Sequence, residues 1–141
     1  MKPPFHADHV GSLLRPSELV AARKAKSANL REVEDRAIRA VVAKQEAVGL
    51  RSVTDGEFRR DYWHLDFMRQ LDGVTLRQAV GMTFAAEDVP PMATVTGKLA
   101  CTKPIMVDHF RFLKDSTRQT AKFCMNGARW RRRSSRRRSP P

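Results

Sequence analysis

Apolar residues along this chain recur with helical spacing in one long stretch and more irregularly elsewhere. From Leu30 onward they fall at Val33, Ala37, Ile38, Val41, Val42 and Val48, the i, i+3, i+4 spacing of a single buried stripe. Arg31, Glu34, Asp35, Arg39, Lys44 and Glu46 mostly take the other side. This predicts a helix opened by Asn29, whose spacing to Glu32 is that of a capping box. Gly49 should end it, because glycine enters the left-handed conformation without steric penalty. Pro16-Ser17-Glu18 reads as the start of an earlier helix running to about Lys26. Arg51 to Thr54 reads as a short strand. Tyr62 to Leu71 is predicted helical, with its aromatics as core, and Gly73 breaks it. Residues 74–97 carry Gly81, Pro90, Pro91 and Gly97 and read as strands and loops. Met106 to Lys114 is predicted helical, with Val107, Phe110 and Leu113 on one face. Helix, strand, loop and helix in succession indicate an α/β arrangement.

The pattern stops near Lys122. Beyond Ala128 the chain has one aromatic, Trp130, and no aliphatic residue, so it cannot offset its ordering entropy by burial. The expected organisation is therefore a body over 1–122 and a disordered Arg/Ser/Pro-rich tail over 123–141.

Composition sharpens this division. Among 141 residues, 27 are Lys or Arg and 15 are Asp or Glu, a formal net charge of +12. Read whole, such a balance suggests nucleic-acid binding. Yet seven arginines and no acid lie beyond Gly127, so more than half of the excess belongs to the tail. Three readings of that tail stay open. It binds phosphates non-specifically with Trp130 as a stacking face; it is a solvated end; or it is GC-rich coding DNA translated out of frame. No apolar run approaches the length of a membrane span, and no secretory leader is visible, so a cytoplasmic location is expected. Cys101 and Cys124 have no metal-site spacing and are expected to be structural thiols.

Two loops carry candidate chemistry. Gly11-Ser12 presents a hydroxyl and backbone N–H groups suited to a carboxylate or phosphate, although an ordinary loop has the same dipeptide. Asp55-Gly56-Glu57 sets two carboxylates beside a glycine. A carboxylate there can bind a substrate ammonium or act as a base, or the segment is a turn with Glu57 paired to Arg59 or Arg60 on the surface. His6, Asp8 and His9 do not converge in an extended segment, and no metal motif is expected from this chain alone. His64 and His109 read as packing histidines.

Three stretches together resemble the cobalamin-independent methionine synthase family, particularly its short single-barrel members related to the enzyme's C-terminal catalytic half. They are His6-Ala-Asp-His-Val-Gly-Ser-Leu-Leu-Arg-Pro16, Val53-Thr-Asp-Gly-Glu-Phe-Arg-Arg60 with Asp61-Tyr-Trp-His-Leu-Asp-Phe67, and Asp108-His-Phe-Arg-Phe-Leu-Lys114. The resemblance covers roughly residues 5–122. It implies the first two or three βα units of a (β/α)₈ TIM barrel, with ligands at the C-terminal ends of the strands. It also implies methyl transfer from a methyltetrahydrofolate-type donor to the thiol of homocysteine, which zinc activates as a thiolate. Gly11 and Ser12 would hold the amino-acid end of the substrate, and Glu57 its amino group. The family's zinc ligands, a His-x-Cys pair with a later Glu and Cys, lie in the second half of the barrel, and Cys101 and Cys124 do not match them. The expectation is thus an N-terminal fragment without catalytic or metal-ligating residues of its own, inactive alone, and prone to aggregate through an open strand edge. A basic module acting through the tail is the alternative.

Overall fold

A computed structural model of the chain describes residues 8–78 and 91–125. His6, part of the 74–97 segment and the tail beyond Met125 lie outside the described residues. The elements are α1 (Ser17–Lys24), α2 (Leu30–Ala47), β1 (Ser52–Val53), α3 (Leu65–Met68), β2 (Asp72–Arg77), β3 (Met92–Ala100), α4 (Val107–Asp115) and β4 (Thr120–Ala121). β1 and β4 run parallel, with Ser52 opposite Thr120 and Val53 opposite Ala121. The crossover between them carries α4, as parallel pairing requires. β2 and β3 form an antiparallel pair inserted into that crossover. The architecture is a small mixed α/β domain with two two-stranded sheets among the described residues.

The stripe predicted for α2 is the one that is buried. Val33, Ile38 and Val42 meet Leu19 of α1, Val53 of β1, Phe58 and Leu113 of α4 in one apolar cluster. Gly49 terminates α2 at φ +86°. Its N–H donates to Glu46 O at 2.9 Å and that of Leu50 to Gln45 O at 3.1 Å, the paired bonds of a Schellman ending.

Other local expectations change. The capping box does not form: Asn29 sits at φ −94°, ψ 17° and makes no side-chain cap bond. An N-cap side chain reaches the first-turn N–H groups from an extended backbone, whereas the preceding turn, closed by Leu30 N–H on Ser27 O at 3.1 Å, holds Asn29 bent. The helix expected over Tyr62 to Leu71 shrinks to α3. Buried Asp66 accepts the N–H of Asp61 at 2.6 Å and of Tyr62 at 2.8 Å, organising the approach as a loop. Trp63 is 57% exposed and Tyr62 36%, so they are not core as expected. Contacts with the body continue past Lys122: Phe123 meets Phe110 edge-on at 6.3 Å. No helix among the described residues is long and apolar enough to cross a membrane.

Candidate functional site

The site is built on the loop after β1. The buried amide of Gln45, on α2, works as a surrogate strand: its Nε2 donates to Thr54 O at 2.8 Å and its Oε1 accepts Thr54 N–H at 3.0 Å. This fixes where the loop begins. Asp55 Oδ1 then accepts Glu57 N–H at 3.0 Å, closing a tight turn. The turn needs left-handed backbone at Gly56 (φ +64°) and, against ordinary preference, at Glu57 (φ +60°). A Cβ on Gly56 would lie 3.0 Å from the Phe58 ring and 3.2 Å from Leu13 Cβ. Glycine is therefore required there by both conformation and space.

Leu13 N–H donates to Gly56 O at 3.1 Å, so the Gly11–Leu13 segment lies against this turn. The consequence is that Ser12 and Glu57, distant in sequence, touch: Ser12 Oγ donates to Glu57 Oε2 at 2.6 Å. Ser12 faces solvent, while Glu57 is 3% exposed beneath it. Gly11 completes the segment at φ +92°. Its N–H donates to Cys124 Sγ at 3.4 Å, a weak acceptor that a carboxylate would outcompete. His9 contacts Gly11 O through its ring nitrogen at 3.0 Å. Asp8 turns instead to Ser52 and Lys122, whose hydrogen bonds hold its carboxyl below the usual range.

The expected surface pairing of Glu57 is corrected in kind. Its partner is Arg60, at 3.4 Å, and both side chains are almost wholly excluded from water. Arg60 also donates to the carbonyls of Trp63 and Cys124, and its guanidinium lies over the Phe123 ring. Arg15 and Arg23 clamp the outward carbonyls of the same loop, both donating to Arg60 O, at 2.9 and 2.7 Å. Sequence reasoning missed these roles because a charged residue is assigned to the surface by default. The only signal was the i, i+3 spacing of Glu57 and Arg60. Asp55 is buried with them, and desolvation raises its carboxyl pKa.

Chemically, the arrangement offers a carboxylate held in place by a cation, a solvent-facing hydroxyl above it, and a backbone N–H bound only to a thiol. These suit the ammonium and carboxylate of an amino acid. Among the described residues no three His, Cys, Asp or Glu converge to hold a metal ion.

No protein-family model matches the chain. It is 43% identical over 122 residues to the uncharacterized protein YxjH of Bacillus subtilis, covering 81% of this chain and 32% of that protein. It is 52% identical over 79 residues to the uncharacterized protein YxjG of the same organism, covering 52% of this chain and 21% of that protein. Among solved structures, a provisionally assigned vitamin-B12-independent methionine synthase from Listeria monocytogenes superposes with a TM-score of 0.64 at 38% identity, covering 84% of this chain and 35% of that one. A B12-independent methionine synthase from Shewanella sp. W3-18-1, solved with selenomethionine, superposes with a TM-score of 0.54 at 21% identity, covering 87% and 33% of the two chains and showing a shared fold. The chain is thus related to methionine-synthase-like proteins and spans about a third of the length of YxjH and of the two solved structures.

Proposed function

We propose that the loops around Ser12 and Glu57 are the amino-acid grip of a cobalamin-independent methionine-synthase-type methyltransferase, and that the chain corresponds to the first βα units of its barrel. The supporting observation is the 2.6 Å hydrogen bond between Ser12 and Glu57 across 45 positions of sequence. It joins the two motifs that carry the family resemblance. In this reading the substrate is homocysteine or a close relative. Glu57 takes its ammonium, with Arg60 holding the Glu57 side chain in position. Gly11 N–H takes its carboxylate, and Ser12 Oγ joins it by turning its one hydrogen from Glu57 to the ligand as the ammonium takes that place on Glu57. The loop position beyond the strand ends fits the barrel rule for ligand sites.

Zinc would supply thiolate formation in such an enzyme, and a methyltetrahydrofolate would supply the methyl group. The described residues offer no ligand set for the metal, so the contribution assigned to this chain is binding and orientation. On this reading the chain is inactive alone.

The test is a titration of the full chain with L-homocysteine, followed by backbone amide NMR with and without zinc. Weak, zinc-independent shifts confined to Gly11, Ser12, Gly56 and Glu57, and diminished in Glu57→Gln, are expected. Shifts located elsewhere would remove the assignment of the grip. Micromolar affinity that depends on zinc would show that the thiol-activating groups are in this chain after all.

A further inference from the structure

A second feature lies on the other side of the Arg59–Arg60 pair. Arg60 turns toward Glu57, whereas Arg59 turns toward α2 and α4. There it lines a cleft of about 610 Å³ together with Arg69, Gln70 and the first turn of α4, including Asp108, His109 and Arg111. None of Ser12, Glu57 or Arg60 lines it. The volume is in the range of small-molecule sites.

Three arginines and one acid, Asp108, line the cleft; Glu34, Asp35 and Asp66, which pair with Arg59 and Arg69, are not among its lining residues. Arg69 is tethered by Asp66 at 2.6 Å and Arg111 by Asp108 at 3.2 Å, both pairs leaving the arginine at least half exposed. Arg59 differs. Its side chain is 1% exposed, stacked 4.5 Å above the Phe112 ring. Nη2 is held by Asp35 at 2.6 Å, and Nη1 stands 3.6 Å from Glu34 Oε2. Its Nε and Nη1 donate no hydrogen bond among the described residues, nor does His109 Nδ1 have a partner. Buried donors of this kind are rarely left without an acceptor. α4 adds its positive N-terminal end at the same place.

We propose that this cleft binds a small oxyanion, a phosphate or carboxylate group, between Arg59, Arg111 and the first turn of α4. The ligand oxygens would accept from Arg111, displacing its Asp108 carboxylate, and from Arg59 Nε, which has no acceptor among the described residues and would turn outward from its buried position to meet them. His109 would stand beside them as a neutral hydrogen-bonding group.

The experiment titrates inorganic phosphate, and separately succinate, into the full chain at constant ionic strength. It follows the His109 imidazole resonances, a readout local to the cleft that the distant arginines do not report through. A saturable shift is expected. Arg111→Gln, at a 72% exposed side chain where folding is not at risk, should weaken it about threefold or more. Asp108→Asn should tighten it by removing the competing carboxylate. Saturation by phosphate alone identifies a phosphate-bearing ligand, by succinate alone a carboxylate ligand, and by both the shared oxyanion chemistry. A shift that grows linearly with both anions, or one unchanged by Arg111→Gln and Asp108→Asn, overturns the proposal.

Discussion

The sharpest prediction concerns the Glu57–Arg60 pair. Glu57→Gln keeps the side chain's size and removes its charge. The pair is buried on both sides, at 4% and 2% side-chain exposure. Removing one member of such a pair strands the other charge, which typically costs about 3–5 kcal/mol. Arg60 retains the Trp63 and Cys124 carbonyls and the Phe123 ring, which places the expected loss lower, at about 2–3 kcal/mol. With a urea slope of about 1.5 kcal/mol per M, the midpoint should fall by roughly 1–2 M. Urea unfolding followed by ellipticity at 222 nm, at low micromolar protein, measures this. Arg60→Met and the double variant complete a cycle in which the two changes should couple by more than about 1 kcal/mol. A midpoint shift of less than about 0.3 M, or additivity within about 0.5 kcal/mol, would refute the reasoning, because the pair would then be behaving as a surface pair.

Two further predictions test other parts of the fold. Gly73 sits at φ +75°, and a Cβ there would come within 2.5 Å of Lys98 O and 2.8 Å of the Gly97 backbone. Gly73→Ala should therefore destabilise the β2–β3 pair by about 2 kcal/mol or more and raise amide exchange across it; unchanged exchange would show that the strands can separate locally without loss. His109 is held neutral, with a pKa pushed down to about 4 from 6.5, chiefly by burial and then by the charge of Arg59. The unfolded chain therefore takes up the proton first as pH falls. Its contribution is full above about pH 6.5 and is lost progressively toward pH 4, by on the order of 1–2 kcal/mol given partial exposure. The wild-type midpoint should fall faster than that of His109→Asn over this window, and parallel curves would contradict the assignment.

The sequence was most informative where structure is local. α2 follows from its apolar spacing and from Gly49, because both the stripe and the left-handed ending are properties of consecutive residues. Local spacing misled where two local options competed. Asn29 and Glu32 have capping-box spacing, but the turn from Ser27 bends Asn29 away from the required geometry. Tyr62 to Leu71 has helical residues, but Asp66 binds the N–H groups at its start.

The functional residues divide in the same way. Gly11, Ser12 and Glu57 could be singled out from their motifs, as donor loop and carboxylate turn. That Ser12 rests on Glu57 depended on the Leu13–Gly56 backbone bond and on Gln45 setting the start of the loop, contacts between segments far apart in sequence. Burial of Arg59 and Arg60 was likewise invisible beforehand. A guanidinium leaves water only when acids, carbonyls and aromatic faces are gathered around it from several elements, and α2, α4 and the Phe123 segment supply these only once packed together. The chain by itself thus determined its helix and its turn-forming glycines, through short-range sterics and periodicity. Only the tertiary structure decided which charges are buried and which loops meet, because the free energy of burying a charge is set by every neighbour around it.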